Sequence, residues 1–158
     1  MEKRQVGILL FNEVEVLDFA GPFEVFSLAR DFNQEALFQV HTITENGQMI
    51  RARNGLKVLP DYNFSNCPQL DILLVPGGYG AEEIEMYNES LLSWITEKAK
   101  QVEILASVCT GALLLAQAGF LKGKKATTHW MDLERLANFP EVDVQKETKY
   151  VEDGKVIT

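Results

Sequence analysis

The stretch ILASVCTGALLLAQAG, residues 104–119, decides the fold. Ile104–Val108 is an apolar run of strand length, and Gly111–Ala118 is a helix-forming run stopped by Gly119. Only Cys109 and Thr110 lie between them, so a thiol sits at the turn from a buried strand into a buried helix. Backbone N–H groups and the helix N-terminus favour a thiolate at such a turn, which predicts a depressed pKa for Cys109. A sharp turn also aims the sulfur out of the core, as in the serine elbow of hydrolases. The competing reading is a small buried hydrophobe, the usual state of a free cysteine.

The same alternation continues on both sides. RQVGILL (4–10), FQVHTIT (38–44) and DILLV (71–75) read as strands, and Ala126–Thr128 starts another. Asn54-Gly55 and Asp153-Gly154 read as hairpin turns. Helices are expected from Pro22 to about Phe32, over Glu89–Gln101 and over Trp130–Ala137. Apolar strands alternating with helices imply an α/β fold. The expected architecture is a doubly wound, mostly parallel sheet with helices on both faces, as one domain over residues 1–158. In such sheets ligands bind at the carboxyl ends of the strands. The unusual residues fall there: Asp18 after the first strand, Gly77-Gly78 after DILLV, Cys109 after ILASV and His129 after ATT.

Each has a functional and a plain reading. Gly77 and Gly78, with the Thr110 N–H, can line an oxyanion cradle, or they form an ordinary turn. No Gly-Lys-Ser/Thr follows, so this is not a phosphate loop. Asp18 either faces the thiol or caps the helix that follows. His129 is either a base or a hydrogen-bonded neighbour of Trp130. His41, in mid-strand, reads as structural, Cys67 as incidental and Glu24 as a solvated residue of a first helical turn.

Composition narrows the function classes. A chain of 158 residues buries roughly 70% of its unfolded surface, enough for a core without disulfides. Two isolated cysteines fit a reducing cytoplasm. No apolar run approaches the roughly 20 residues of a membrane span, and MEKRQVGILLF reads as a strand rather than a leader. The net charge of −8, from 15 basic and 23 acidic residues, disfavours nucleic acid. Lys122, Lys124 and Lys125 read as a solvated turn. No ligand-spaced cluster points to a metal, and no motif points to a cofactor.

Three segments together resemble the ThiJ/PfpI superfamily of class I glutamine-amidotransferase-like proteins. They are LLFNEVEVLDFAGPFEVFSLA (9–29), DILLVPGGYGAEE (71–83) and ILASVCTGALLLAQAGFLKGKKATTHW (104–130). The resemblance implies a flavodoxin-like sandwich, a homodimer and Cys109 as nucleophile beside the backbone groups of Gly78 and Thr110. It also implies that a small-residue turn and a long covering helix follow DGKVIT, so the chain is expected to lack a C-terminal helix of the fold.

Within that superfamily, LDFAGPFEVF and SVCTGALLLAQAGFLKGKKATTHW resemble the isonitrile hydratases and equally the sensor domains of AraC-type regulators. The PfpI-type peptidases carry a histidine directly after the elbow cysteine. Thr110 stands there in this chain and argues against that chemistry. A thiol-based stress-response branch has glutamate where this chain has Asp18. For a hydratase the resemblance implies a small-molecule substrate attacked by Cys109, with Asp18 as acid and base and His129 shaping the pocket.

Overall fold

The structure is a computed structural model and describes residues 2–158. In chain order its elements are β1 (Arg4–Leu9), α1 (Val16–Leu28), β2 (Phe38–Thr44), β3 (Ile50–Arg51), β4 (Lys57–Val58) and β5 (Tyr62–Asn63). Then come β6 (Ile72–Val75), α2 (Tyr79–Glu83), α3 (Glu89–Gln101), β7 (Ile104–Ser107) and α4 (Gly111–Gln117). The rest are β8 (Lys125–Ala126), α5 (Leu133–Ala137), β9 (Asp143–Val144), β10 (Glu152–Asp153) and β11 (Val156–Ile157).

Seven strands form the main sheet in the order β10-β11-β7-β6-β1-β2-β5. Every pairing in it is parallel except β10 with β11. Taken as β2-β1-β6-β7-β11, this is the flavodoxin-like strand order. The chain leaves β1 toward β2 in one direction and proceeds from β6 to β7 in the other. Right-handed crossovers in opposite directions place their helices on opposite faces of the sheet. The direction reverses between β1 and β6, and the crevice for a ligand opens there.

Sequence pattern accounts for the core. Along β6 all four residues are buried, as expected of a strand covered on both faces. The first five residues of α4 are buried as well, which explains a helix with no polar face there. Helix α3 keeps a single apolar face, with Leu91, Trp94, Ile95 and Ala99 buried. Its N-terminus is closed by Asn88, whose Oδ1 accepts the Leu91 N–H at 3.2 Å.

Three expectations change. The first helix starts at Val16, not at Pro22, and Pro22 lies inside it. Proline there removes the N–H that would bond back to the Asp18 carbonyl and crowds that carbonyl, while its fixed φ suits a helix. Asp18 is thereby moved from a position before the helix into its first turn, and Glu24 to mid-helix. The ATT segment contributes β8, which pairs with β9 in a separate two-stranded sheet, so His129 does not follow a strand of the main sheet. Finally, the helix expected over Trp130–Ala137 is α-helical only over Leu133–Ala137, with Trp130–Asp132 forming a single 3₁₀ turn before it.

Candidate active site

Cys109 has φ of 54°, the left-handed region that a non-glycine residue enters at a cost of about 1–3 kcal/mol. The surroundings hold it there. The Val108 N–H donates to the Val75 carbonyl at 3.1 Å, and the Gly111 N–H donates to the Val108 carbonyl at 3.0 Å. The Thr128 hydroxyl donates to the Cys109 carbonyl at 2.9 Å. Gly111 is what lets α4 begin so close to β6, because a Cβ there would lie 2.1 Å from the Val75 oxygen. The elbow inferred from residues 104–119 is therefore present, strained and braced from three directions.

Asp18 reaches the same spot from α1. Its Oδ2 accepts the Gly77 N–H at 3.2 Å, and its carboxyl group lies close enough to the Cys109 thiol for each to shift the other's pKa. Burial raises the Asp18 pKa, against the lowering effect of the Cys109 thiol and the Gly77 N–H. The thiol itself is pushed up to about 12, first by burial and then by the neighbouring Asp18 charge. The Thr110 N–H and hydroxyl pull the other way and are outweighed. This reverses the depressed pKa expected from the turn, since burial beside a carboxylate overrides two neutral dipoles. A thiol pushed up to about 12 keeps its proton throughout the neutral range, beside the Asp18 carboxyl group.

The glycine loop plays a different part from a free cradle. The Gly77 N–H is taken by Asp18, and the Gly78 N–H donates to Thr110 Oγ1 at 2.9 Å. Both amides hold other site residues in place. Gly78 has φ of 113°, and a Cβ on it would meet the Glu15 nitrogen at 2.5 Å, so this position accepts glycine alone. Thr110 is buried, and its hydroxyl donates to Glu82 Oε1 at 2.9 Å.

Cys109 and His129 both border a cleft of about 560 Å³ that also contains Asp18 and Gly78. A second cleft, of about 310 Å³, meets the first at these same two residues. His129 Nδ1 lies 3.5 Å from Asp132 Oδ2, so the ring is oriented by Asp132 and not by Asp18. Glu15, Glu82 and Asp132 add carboxylates to the larger cleft, against Arg53 and His129. Arg53 is itself engaged by Glu13 at 3.1 Å. Glu82, Asp132 and Thr128 were not singled out in the sequence. The Glu82-Glu83 pair following GGYGA and the threonines before His129 are the only hints of them.

Among the described residues no three His, Cys, Asp or Glu side chains converge to hold a metal ion. Nor, among them, is any helix long and apolar enough to cross a membrane.

The DJ-1/PfpI family model matches residues 4–158. The chain belongs to the DJ-1/PfpI family. Isonitrile hydratase of Pseudomonas putida is 37% identical over 154 residues, which cover 98% of this chain and 64% of that protein. The HTH-type transcriptional regulator GbdR of Pseudomonas aeruginosa is 29% identical over 140 residues, covering 88% of this chain and 38% of the regulator. The chain thus spans under two thirds of either relative. Among solved structures, a ThiJ/PfpI family protein of Pseudomonas syringae superposes with a TM-score of 0.81 at 28% identity, covering all of this chain and 62% of that one. Drosophila melanogaster DJ-1beta gives a TM-score of 0.85 at 19% identity, covering 99% and 81%, a likeness of fold alone.

The thiol–carboxylate pairing gives a signed prediction. Asp18→Asn removes the charge that, after burial, holds the thiol up, so Cys109 should alkylate faster at mildly alkaline pH than in the wild type. In the wild type the rate should keep rising with pH well beyond the ordinary thiol value of about 8.5. Iodoacetamide kinetics, followed on the Cys109 peptide, check both. A slower Asp18→Asn protein would mean that the carboxylate helps the thiolate form.

Proposed function

We propose that this domain carries out isonitrile hydration, converting an isonitrile and water to an N-substituted formamide. One observation carries the reading: a half-buried thiol stands beside a half-buried carboxyl group at the strand-end elbow of a chain 37% identical to an isonitrile hydratase.

The chemistry follows from the pair. As sulfur bonds to the terminal isonitrile carbon, the thiol proton passes to Asp18 and from there to that carbon. The result is a thioimidate, R–N=CH–S–Cys109, with the whole substrate added across the S–H bond. Asp18 is an anion again and accepts a proton from water as the water oxygen attacks the same carbon. Asp18 passes that proton to the nitrogen, and collapse of the tetrahedral adduct breaks the C–S bond, sends the hydroxyl proton to sulfur and releases R–NH–CHO. A thiol raised to about 12 is a poor free nucleophile at neutral pH, so proton transfer to Asp18 must accompany attack. Burial favours this transfer, because it also raises the pKa of the acceptor. A cleft dominated by carboxylates suits a neutral isonitrile and repels anionic molecules.

The test is incubation of the protein with phenyl isonitrile. N-phenylformamide should accumulate in proportion to protein concentration, and its absence would overturn the reading. The regulator relatives favour a second reading, a ligand-sensing domain. It is distinguished by saturable isonitrile binding without turnover.

We further propose a homodimer formed through α1. Val25 and Leu28 lie 8 and 11 residues after Leu17, on one helical face, and the three are 70%, 63% and 76% exposed in that order. Apolar side chains grouped in this way mark an interface. Light scattering should give a dimer for the wild type and a monomer for Leu28→Glu, and a monomeric wild type would contradict it.

A further inference from the structure

We propose that Glu82 is a positioning residue for the elbow, because it holds the single hydroxyl proton of Thr110 and so withholds it from the Cys109 sulfur. The proposal rests on Cys109 being the reactive thiol of the reading above.

A threonine hydroxyl has one proton and two lone pairs. One lone pair of Thr110 receives the Gly78 N–H at 2.9 Å, and the proton goes to Glu82 Oε1, also at 2.9 Å. Thr110 is 1% exposed, so no bulk water competes for either bond. The same hydroxyl belongs to the residue directly after Cys109, and its polarity lowers the pKa of that thiol. It cannot donate to both Glu82 and the sulfur. A carboxylate outcompetes a neutral thiol as acceptor, but a thiolate competes on nearly equal terms. Glu82 therefore sets how much help the sulfur receives from Thr110 as it becomes negative.

The carboxylate has its own restraint. Arg135, on α5, places Nη1 3.9 Å from Glu82 Oε2 and 2.9 Å from Glu83 Oε1, and it also donates to the Glu82 carbonyl. Glu82 is thus tethered from the far side of α2, a short helix that follows directly on Gly78. The chain Gly78–Thr110–Glu82–Arg135 connects the glycine loop, the elbow and α5 through polar contacts. The other charged or titratable groups that line the two clefts at the thiol are Asp18 and Glu15 at the start of α1, His129 and Asp132 before α5, Arg53 from the β3–β4 turn, and Lys149 with Tyr150 from the second cleft. None of these changes in the variants below.

The test reads the thiol directly and needs no isonitrile, so its outcome is separate from that of the turnover experiment. The alkylation rate of Cys109 by iodoacetamide is measured at one mildly alkaline pH by mass spectrometry of its peptide, which leaves Cys67 out. Glu82→Ala frees the Thr110 proton, and the rate should rise about tenfold, the effect of one hydrogen bond to a charged acceptor. Thr110→Val placed in the Glu82→Ala background should cancel the rise. Glu82→Asp keeps the charge but withdraws the acceptor, so it should also raise the rate, and it carries the test if Glu82→Ala does not fold. A rise that persists without the Thr110 hydroxyl, or no rise in Glu82→Asp, would show that Glu82 acts through charge alone and overturn the proposal.

Discussion

Replacing Cys109 by alanine is expected to lower formamide production from phenyl isonitrile by at least about a thousandfold, as removal of a nucleophile does elsewhere. The loss should be chemical and not structural. Alanine has the same Cβ as cysteine, so the strain at φ 54° is unchanged. The bracing contacts to residue 109 and its neighbours involve backbone carbonyls and amides, which the substitution leaves in place. What disappears is the sulfur and its proton. Cys109→Ser should fare little better. A hydroxyl is far harder to ionise than a thiol, and the burial that raises the thiol to about 12 acts on it as well. Circular dichroism and thermal melting, run beside the product assay, separate lost chemistry from lost fold. Retained turnover in Cys109→Ala would remove the nucleophile from the account.

The second large effect is on stability. Gly111→Ala should destabilise the protein by about 3 kcal/mol or more, the upper end of what forced overpacking costs. The new Cβ would lie 2.1 Å from the Val75 oxygen and 2.9 Å from the Pro76 oxygen. Both are backbone atoms at the carboxyl end of β6, so no side chain can swing away. Either α4 must retreat from the sheet or β6 must bend, and both disturb the elbow. A melting temperature lower by roughly 6–12 °C is expected for a chain of this size. Gly21→Ala is the control. That residue lies inside α1 with nothing within 4 Å of its Cβ position, and alanine there should be neutral or stabilising by about 0.5–1 kcal/mol. Equal melting temperatures for Gly111→Ala and wild type would contradict the close approach on which the elbow rests.

Much of the architecture was legible in the sequence because it is local. Helix α3 and strand β2 begin and end where expected, since each carries a continuous pattern of its own period. The start of α1 was hidden by Gly21-Pro22, a strong turn signal that a helix tolerates when the remaining bonds and packing hold. Strands of two residues, such as β5 and β9, have no periodicity to read, and partner strands create them.

The site divides in the same way. Cys109, Gly77-Gly78 and Asp18 come after β7, β6 and β1, which are neighbours in the sheet, so the strand-end rule brings them together. Glu82 is 28 residues from Thr110, and nothing local ties the two. The direction of the thiol's pKa was illegible for a related reason. The turn was visible in the sequence, but the burial and the carboxylate beside the sulfur arise only from tertiary packing.

The most direct test of the central claim is the mass of the Cys109 peptide after brief exposure of the protein to phenyl isonitrile and acid quenching. A hydratase working through the thiol–carboxylate pair should show that peptide heavier by one intact isonitrile, with the adduct decaying as N-phenylformamide appears. Formamide released with no adduct on Cys109 at any time, or an adduct that never decays, would contradict it.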